Sequence, residues 1–324
     1  MNTFKKIGLT ALAGSLVAVS VNAADLSVTG AAGITFAGQD KTTKGNGWSM
    51  TDNMTFAGSA ELDNGWTVAT SFLLDNSDGR GTATTGQMFD TRTLTINMPD
   101  IGLLTFHGHD GGSAMNDVDD VMPYAGGNEG WDLVATAATA KFGRVAGTGG
   151  TNSFKYNNST LMDGLSVTAS YQPSNATQIE GTVSYAVAYT GVEGLTVGYG
   201  ADENGLLTTA AIDAETMYIK YAYGPITIGM QESETDANTA ANSDEFSAMG
   251  ISYTVSDDLT ISYSESAYNA GDKAADEEHT MIGASYTMGS MSLALSVNDV
   301  KNMGGSTAAV DDVSGYELAL SFVF

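Results

Sequence analysis

The stretch SGYELALSFVF, residues 314–324, alternates apolar residues with mostly small or polar ones. The apolar positions are Tyr316, Leu318, Leu320, Phe322 and Phe324. Successive side chains of a β-strand point to opposite faces, so a period of two predicts a strand with one continuous apolar face. The terminal aromatic residue belongs to that face.

The same alternation recurs along most of the chain. Clear examples are WTVATSFLLD (66–75), LSVTASY (165–171), VSYAVAY (183–189), MYIKYAY (217–223) and MSLALSV (291–297). In each run one face is apolar, and the other carries mainly small or polar residues. We count about 16 such runs, a number typical of closed membrane barrels with strands of ~10 residues.

The connectors between these runs alternate in length. The short ones span 62–65, 98–102, 161–164, 191–194, 223–225, 255–258 and 288–290. The long ones span 38–48, 76–86, 110–150, 172–181, 201–213, 232–245, 269–278 and 299–314. Tight turns at one end and long polar loops at the other predict hairpins that all stand in the same direction.

The composition of the two faces favours a membrane barrel over a soluble sandwich or solenoid. Aromatic residues stand near the ends of the apolar faces, as interfacial girdles do. The polar faces are largely uncharged, whereas a soluble exterior usually carries Lys and Glu. We therefore predict an all-β protein, a transmembrane antiparallel β-barrel of about 16 strands. Since lipid cannot satisfy an unpaired strand edge, the last strand is expected to close on the first, at 26–38.

Overall charge and cysteine content exclude several classes of function. The formal net charge is -26, from 38 acidic and 12 basic residues. Such a chain would be repelled by a phosphate backbone, so we expect no nucleic-acid partner. The sequence has no cysteine, which excludes disulfides and thiolate metal sites.

The first residues differ from the rest. Lys5 and Lys6 precede an apolar run that ends in small residues around Ala23. This pattern predicts a secretory signal peptide at 1–23, cleaved after Ala23, and a single barrel domain at 24–324. The alternative is a membrane anchor helix, but the run is short for a span of ~20 residues.

Two local strings, GLLTFHGHD (102–110) and NSFKY (152–156), add a family resemblance to the terminal alternation and the loop order. With them, the mature chain resembles a Gram-negative general porin of the sixteen-stranded, trimeric type. The resemblance implies a homotrimer in the outer membrane, in contact with lipid and lipopolysaccharide. Phe324 matches the terminal signal read by the barrel-assembly machinery.

The connector 110–150 is the longest, and the resemblance implies that it folds inward as a constriction loop. Its candidate pore carboxylates are Asp110, Asp117, Asp119, Asp120, Glu129 and Asp132. The alternative is a solvated acidic surface loop. Rings of charged side chains are a general means of ion selection.

The resemblance also places a basic residue of the sixth strand, Lys155, in the pore. Where the family often has arginine after the fifth strand, this chain has His109. Alternation points His107 and His109 to the same inner face, as a pore-lining pair or as two metal ligands lacking a third. Arg92 stands at the same alternate positions as the apolar residues Leu94 and Ile96, so it is expected to face lipid. The alternatives are that it lies beyond the membrane, at a subunit contact or past a bulge.

The sequence thus predicts passive diffusion of small hydrophilic solutes and ions through a water-filled channel, with a preference for cations. A plugged or structural barrel, such as an adhesin or receptor, is the alternative, and an exported soluble β-protein is a third. The usual serine-hydrolase, zinc-protease and phosphate-binding motifs are missing from the sequence, so we predict no enzyme. We expect no cofactor, apart from a weak Ca²⁺ site in the connector 110–150.

Overall fold

The computed structural model describes residues 25–40, 47–75, 89, 91–109, 111–125, 150–173, 179–206, 212–237, 243–308 and 312–324. The predicted signal peptide lies outside these residues. So do Asp110, Glu129 and Asp132 of the predicted constriction set.

The described chain is built almost entirely of strands. Their bounds are β1 Asp25–Gln39, β2 Gly47–Glu61, β3 Thr67–Asp75, β4 Arg92–Met98, β5 Gly102–His109, β6 Ser153–Asn158, β7 Leu165–Gln172, β8 Ile179–Val192, β9 Leu195–Leu206, β10 Ile212–Tyr223, β11 Ile226–Ala237, β12 Asp244–Ser256, β13 Leu259–Ala270, β14 Glu277–Met288, β15 Met291–Lys301 and β16 Val313–Val323. Short 3-10 turns lie at Met115–Asp117 and Met303–Gly305. In these ranges no helix is long and apolar enough to cross a membrane.

Each strand pairs antiparallel with the next, and β16 pairs with β1, which closes the sheet into a barrel. The predicted closed barrel of sixteen strands is confirmed. Closure extends to the last residue, because Gly30 N donates to Phe324 O at 2.7 Å and Phe324 N donates to Gly30 O at 2.9 Å. The ring of Phe324 then lies over Gly30 on the outer face, where an added Cβ would come within 2.7 Å of it.

The two faces of the barrel have the predicted compositions. The outer face is apolar and exposed, as at Ile282 and Met217, which are 60% and 54% accessible. The inner face carries small polar side chains, many of them buried, such as Ser184 and Thr216. An apolar exterior around a polar interior is the arrangement of a barrel in lipid.

All seven predicted short connectors lie at the strand ends where they were expected, and several use a glycine at positive φ, such as Gly194 and Gly289. Six of the eight long connectors were predicted too long, whereas 76–86 and 110–150 were predicted shorter than the gaps between the observed strands. β11 runs to Ala237, so Glu232, Glu234 and Asp236 belong to a strand and not to a loop. Alternation continues to the end of β11, but acidic residues replace apolar ones on the outer face, so the contrast between the two faces is lost in the sequence.

Candidate functional site

Residues 111–125, hereafter the inner segment, lie against the inner face of the barrel from β6 to β14. Serine hydroxyls of three strands accept hydrogen bonds from its backbone, at 2.8–2.9 Å. The pairs are Ala114 N with Ser170 Oγ, Met115 N with Ser184 Oγ, and Ala125 N with Ser262 Oγ. These bonds satisfy backbone groups that the segment would otherwise bury unpaired.

Inward-facing glycines let the inner segment approach the wall closely. An added Cβ at Gly283 would lie 1.6 Å from Ala125 O, and one at Gly200 would lie 2.5 Å from a methyl of Val118. Gly229 and Gly250 make similar room for Pro123, at 2.9 and 3.1 Å. Cβ atoms in proteins do not come as close to other atoms as 2.9 Å, the largest of the distances at Gly283, Gly200 and Gly229. These four glycines, hereafter the glycine track, therefore allow the inner segment to lie directly against the wall.

An apolar cluster fixes the middle of the inner segment. Ala114, Val118 and Met122 are buried against inward-facing residues of β8, β10, β12 and β13. These wall residues are Ala186, Tyr218, Phe246, Ala248, Tyr268 and Ala270. Burial of such side chains contributes roughly 25 cal/mol per Å² of apolar surface, so the contact stabilises the segment at the wall.

The three described carboxylates of the inner segment have different surroundings. Asp117 forms an ion pair with Lys155 and accepts a hydrogen bond from Thr168. Asp119 is 2% accessible and accepts a hydrogen bond from the amide of Asn116, at 2.8 Å. Asp120 is exposed. Of the three, only Asp117 and Asp120 present carboxylates to water.

Basic side chains on the described inner face all belong to the wall under the inner segment. They are Lys155 on β6 and Lys220 on β10, whose Nζ donates to Val121 O at 3.2 Å. The inner faces of β15, β16 and β1 to β5 carry no lysine or arginine within the described ranges. A basic wall opposite the acidic segment is therefore missing from the part of the barrel that the structure describes.

The two predicted histidines lie on the inner face of β5. His107 packs against Gly111, and both its ring nitrogens are buried without a hydrogen-bond partner among the described residues. His109 pairs with Arg92 at a register shift in the β4–β5 ladder. Among described residues, no three His, Asp or Glu side chains are grouped as metal ligands.

Arg92 lies on the outer side of that register shift. Its Nη2 donates to Gly108 O at 3.3 Å, and its neighbour on β3 is the outward-facing Phe72. The parity argument is confirmed, since Arg92 shares a face with Leu94 and does not enter the lumen.

Sequence reasoning missed the wall residues that hold the inner segment. Ser170, Ser184, Ser262 and Gln231 resemble any other small or polar inner-face residue in the sequence. The one available signal is the row of inward-facing glycines, because glycine is unfavourable inside a strand unless another chain approaches there.

A family model for Gram-negative porins matches residues 8–305, so the chain belongs to that family. The comparison with curated proteins gave no match.

Among solved structures, the fold is similar to an anion-selective porin from Comamonas acidovorans, with 13% identity, a TM-score of 0.71, and coverage of 93% of this chain and 100% of that one. An in-vitro folded OmpT, an outer-membrane protein of Vibrio cholerae, has 14% identity, a TM-score of 0.65, and coverage of 94% and 99%. A mutant of the Rh. blastica porin has 13% identity, a TM-score of 0.68, and coverage of 93% and 100%. At these identities the likeness shows the fold.

Proposed function

We propose that this porin is a passive diffusion channel of the outer membrane that favours cations over anions. The observation that carries the proposal is the distribution of charge on the inner face. Among the described residues, the two lysines on the inner face, Lys155 and Lys220, both bond to the inner segment. Asp117 and Asp120 have side chains exposed to water. Charged side chains close to the permeating ion select it most strongly.

The connector 110–150 is our candidate for the constriction. The contacts of residues 111–125 with the nine successive strands from β6 to β14 support this role, because they hold the segment across one side of the lumen. Asp110, Glu129 and Asp132 belong to the same connector and would add to its negative field. A weakly bound Ca²⁺ there stays a prediction, with Asp117 and Asp119 already bonded to protein groups.

A comparison of two triple variants tests the proposal in planar bilayers under a KCl gradient. Asp117, Asp119 and Asp120 changed to Asn should move the zero-current potential towards zero. The matched control changes Glu232, Glu234 and Asp236 on the outer face of β11 to Gln, Gln and Asn, and should move it much less. Equal shifts, or a wild-type preference for chloride, would overturn the cation proposal, and a barrel without conductance would favour a plugged, structural role.

The assembly state and location are proposed from the family resemblance. A homotrimer is supported by Asp52 on β2 and Arg92 on β4, two outward-facing charges whose neighbours on the same face are apolar, such as Met54 and Phe72. A charged side chain facing lipid near the membrane centre costs up to about 2–4 kcal/mol, so a protein contact is the better environment. The remaining outer face would contact lipid and, at the end with the long connectors, lipopolysaccharide.

Export is proposed through the signal peptide 1–23, with cleavage after Ala23. Recognition of Phe324 by the barrel-assembly machinery would then guide insertion. Since porins are channels, the proposal contains no enzymatic step.

A further inference from the structure

Lys155 is the basic residue that the family resemblance places in the pore, and its contacts suggest a different role. Its Nζ bonds to Oδ1 of Asp117, the last residue of the 3-10 turn in the inner segment. The other carboxylate oxygen, Oδ2, accepts a hydrogen bond from Thr168 Oγ1 at 3.1 Å. Adjacent strands, β6 and β7, therefore occupy both oxygens of one carboxylate.

A further side chain holds this arrangement in place. Asn157, two residues after Lys155 on the same face of β6, donates to Thr168 Oγ1 at 2.8 Å and to Ser166 Oγ at 2.9 Å. Thr168 is thus positioned to offer its own hydroxyl hydrogen to Asp117. An ion pair supported by further hydrogen bonds fixes geometry better than two mobile surface charges do.

The exposures of the two partners show which charge a permeating ion meets. The side chain of Lys155 is 19% accessible, and that of Asp117 is 39% accessible. The ammonium group therefore lies at the wall, beneath the carboxylate that neutralises it. A solute in the lumen encounters a compensated pair and not a free positive charge.

The turn that contains Asp117 is also where the inner segment is most deeply buried. Met115 and Val118, on either side of it, are 0% and 1% accessible. Lys220 makes the equivalent contact further along, to the backbone oxygen of Val121. The two lysines contact the segment from β6 and β10, at Asp117 and Val121 within its buried part.

We propose that Lys155 is a positioning residue that fastens the inner segment to the barrel wall through Asp117, and that it does not act as an anion-attracting charge of the pore. This inference rests on the proposed constriction role of the segment. It predicts that loss of Lys155 changes the mobility of the segment as well as the charge of the lumen.

The test uses a nitroxide spin label attached to the cysteine of an Asp120→Cys variant. Because the natural chain has no cysteine, this thiol is the single labelling site. In refolded channels, Lys155→Met should sharpen the label spectrum and raise open-channel current noise several-fold, whereas Lys155→Arg should leave both unchanged. Exchange of the partners, Lys155→Asp with Asp117→Lys, should restore the immobile spectrum.

The matched control is Thr35→Asp on the inner face of β1, which makes the lumen more negative by one charge, as Lys155→Met does, away from the described inner segment. It should shift the zero-current potential without mobilising the label. The proposal is overturned if Lys155→Met shifts the potential as Thr35→Asp does and leaves the label immobile.

If Lys155→Met fails to assemble, Asp117→Asn breaks the same contact, and the mobility of its label decides the question in the same way. A wild-type preference for chloride would defeat the cation proposal only, since the label still reports whether Lys155 holds the segment.

Discussion

At the scale of single residues, the acidic run of the long connector separates into groups with different roles. The sequence spacing of Asp117, Asp119 and Asp120 predicts a concentration of negative charge. The spacing does not predict where each carboxylate points, because side chains on irregular backbone follow no fixed period. Asp119 turns inward to Asn116, and Asp117 turns to Lys155 on a strand 38 residues away.

The glycine track gives a prediction at this scale. Gly283→Val should push Ala125 from the wall into the lumen, because even a Cβ at this position would overlap the carbonyl of Ala125. Single-channel conductance should fall and current noise should rise. Gly58→Val is the control, since a Cβ there lies on the outer face with its nearest neighbour at 3.7 Å. Unchanged conductance in Gly283→Val would show that the segment does not rest on this glycine.

At the scale of elements, strands were well predicted where one face is apolar and badly where it is not. β16 and β15 were evident from alternation alone. The last residues of β11 were assigned to a loop because Glu232 and Glu234 stand where apolar residues stand elsewhere. Period-two reasoning depends on contrast between the faces, and here the contrast disappears before the strand ends.

The closing strand carries the prediction at this scale. Deletion of Phe324 removes two backbone hydrogen bonds to Gly30 and the ring that covers it. We expect a several-fold loss of heat-modifiable barrel in outer-membrane fractions, because an open edge is costly in lipid. Phe324→Tyr keeps the ring and the backbone bonds and should assemble normally. Normal yield of the deletion variant would contradict the role of this residue in closure.

At the scale of the whole molecule, the barrel was predictable and the site only partly so. Alternation recurs in sixteen strands, and short and long connectors alternate at the fifteen junctions between them, so an error in one strand hardly changes the strand count. The contacts of the inner segment occur once each and join residues far apart in sequence, as in the bond between Ala125 and Ser262. Single long-range contacts leave no periodic signal.

The outward-facing charges give a prediction about assembly. If Asp52 and Arg92 lie at subunit contacts, Arg92→Glu should weaken the oligomer and lower the temperature at which it dissociates in detergent gels. Lys301→Glu, an outward-facing charge at the end of β15, is the control and should leave the oligomer intact. Equal stability of both variants and the wild type would place Arg92 outside the interface.

The most direct test of the central claim is the zero-current potential of the wild-type channel in KCl gradients at about 0.1 M and about 1 M. Screening shortens from ~10 Å to ~3 Å between these concentrations, so charges at the mouths lose their influence while those lining the constriction keep theirs. The account predicts conductance at both concentrations and a preference for potassium that largely persists at the higher one. A preference for chloride, or a potassium preference that vanishes in 1 M salt, would contradict selection by the inner segment.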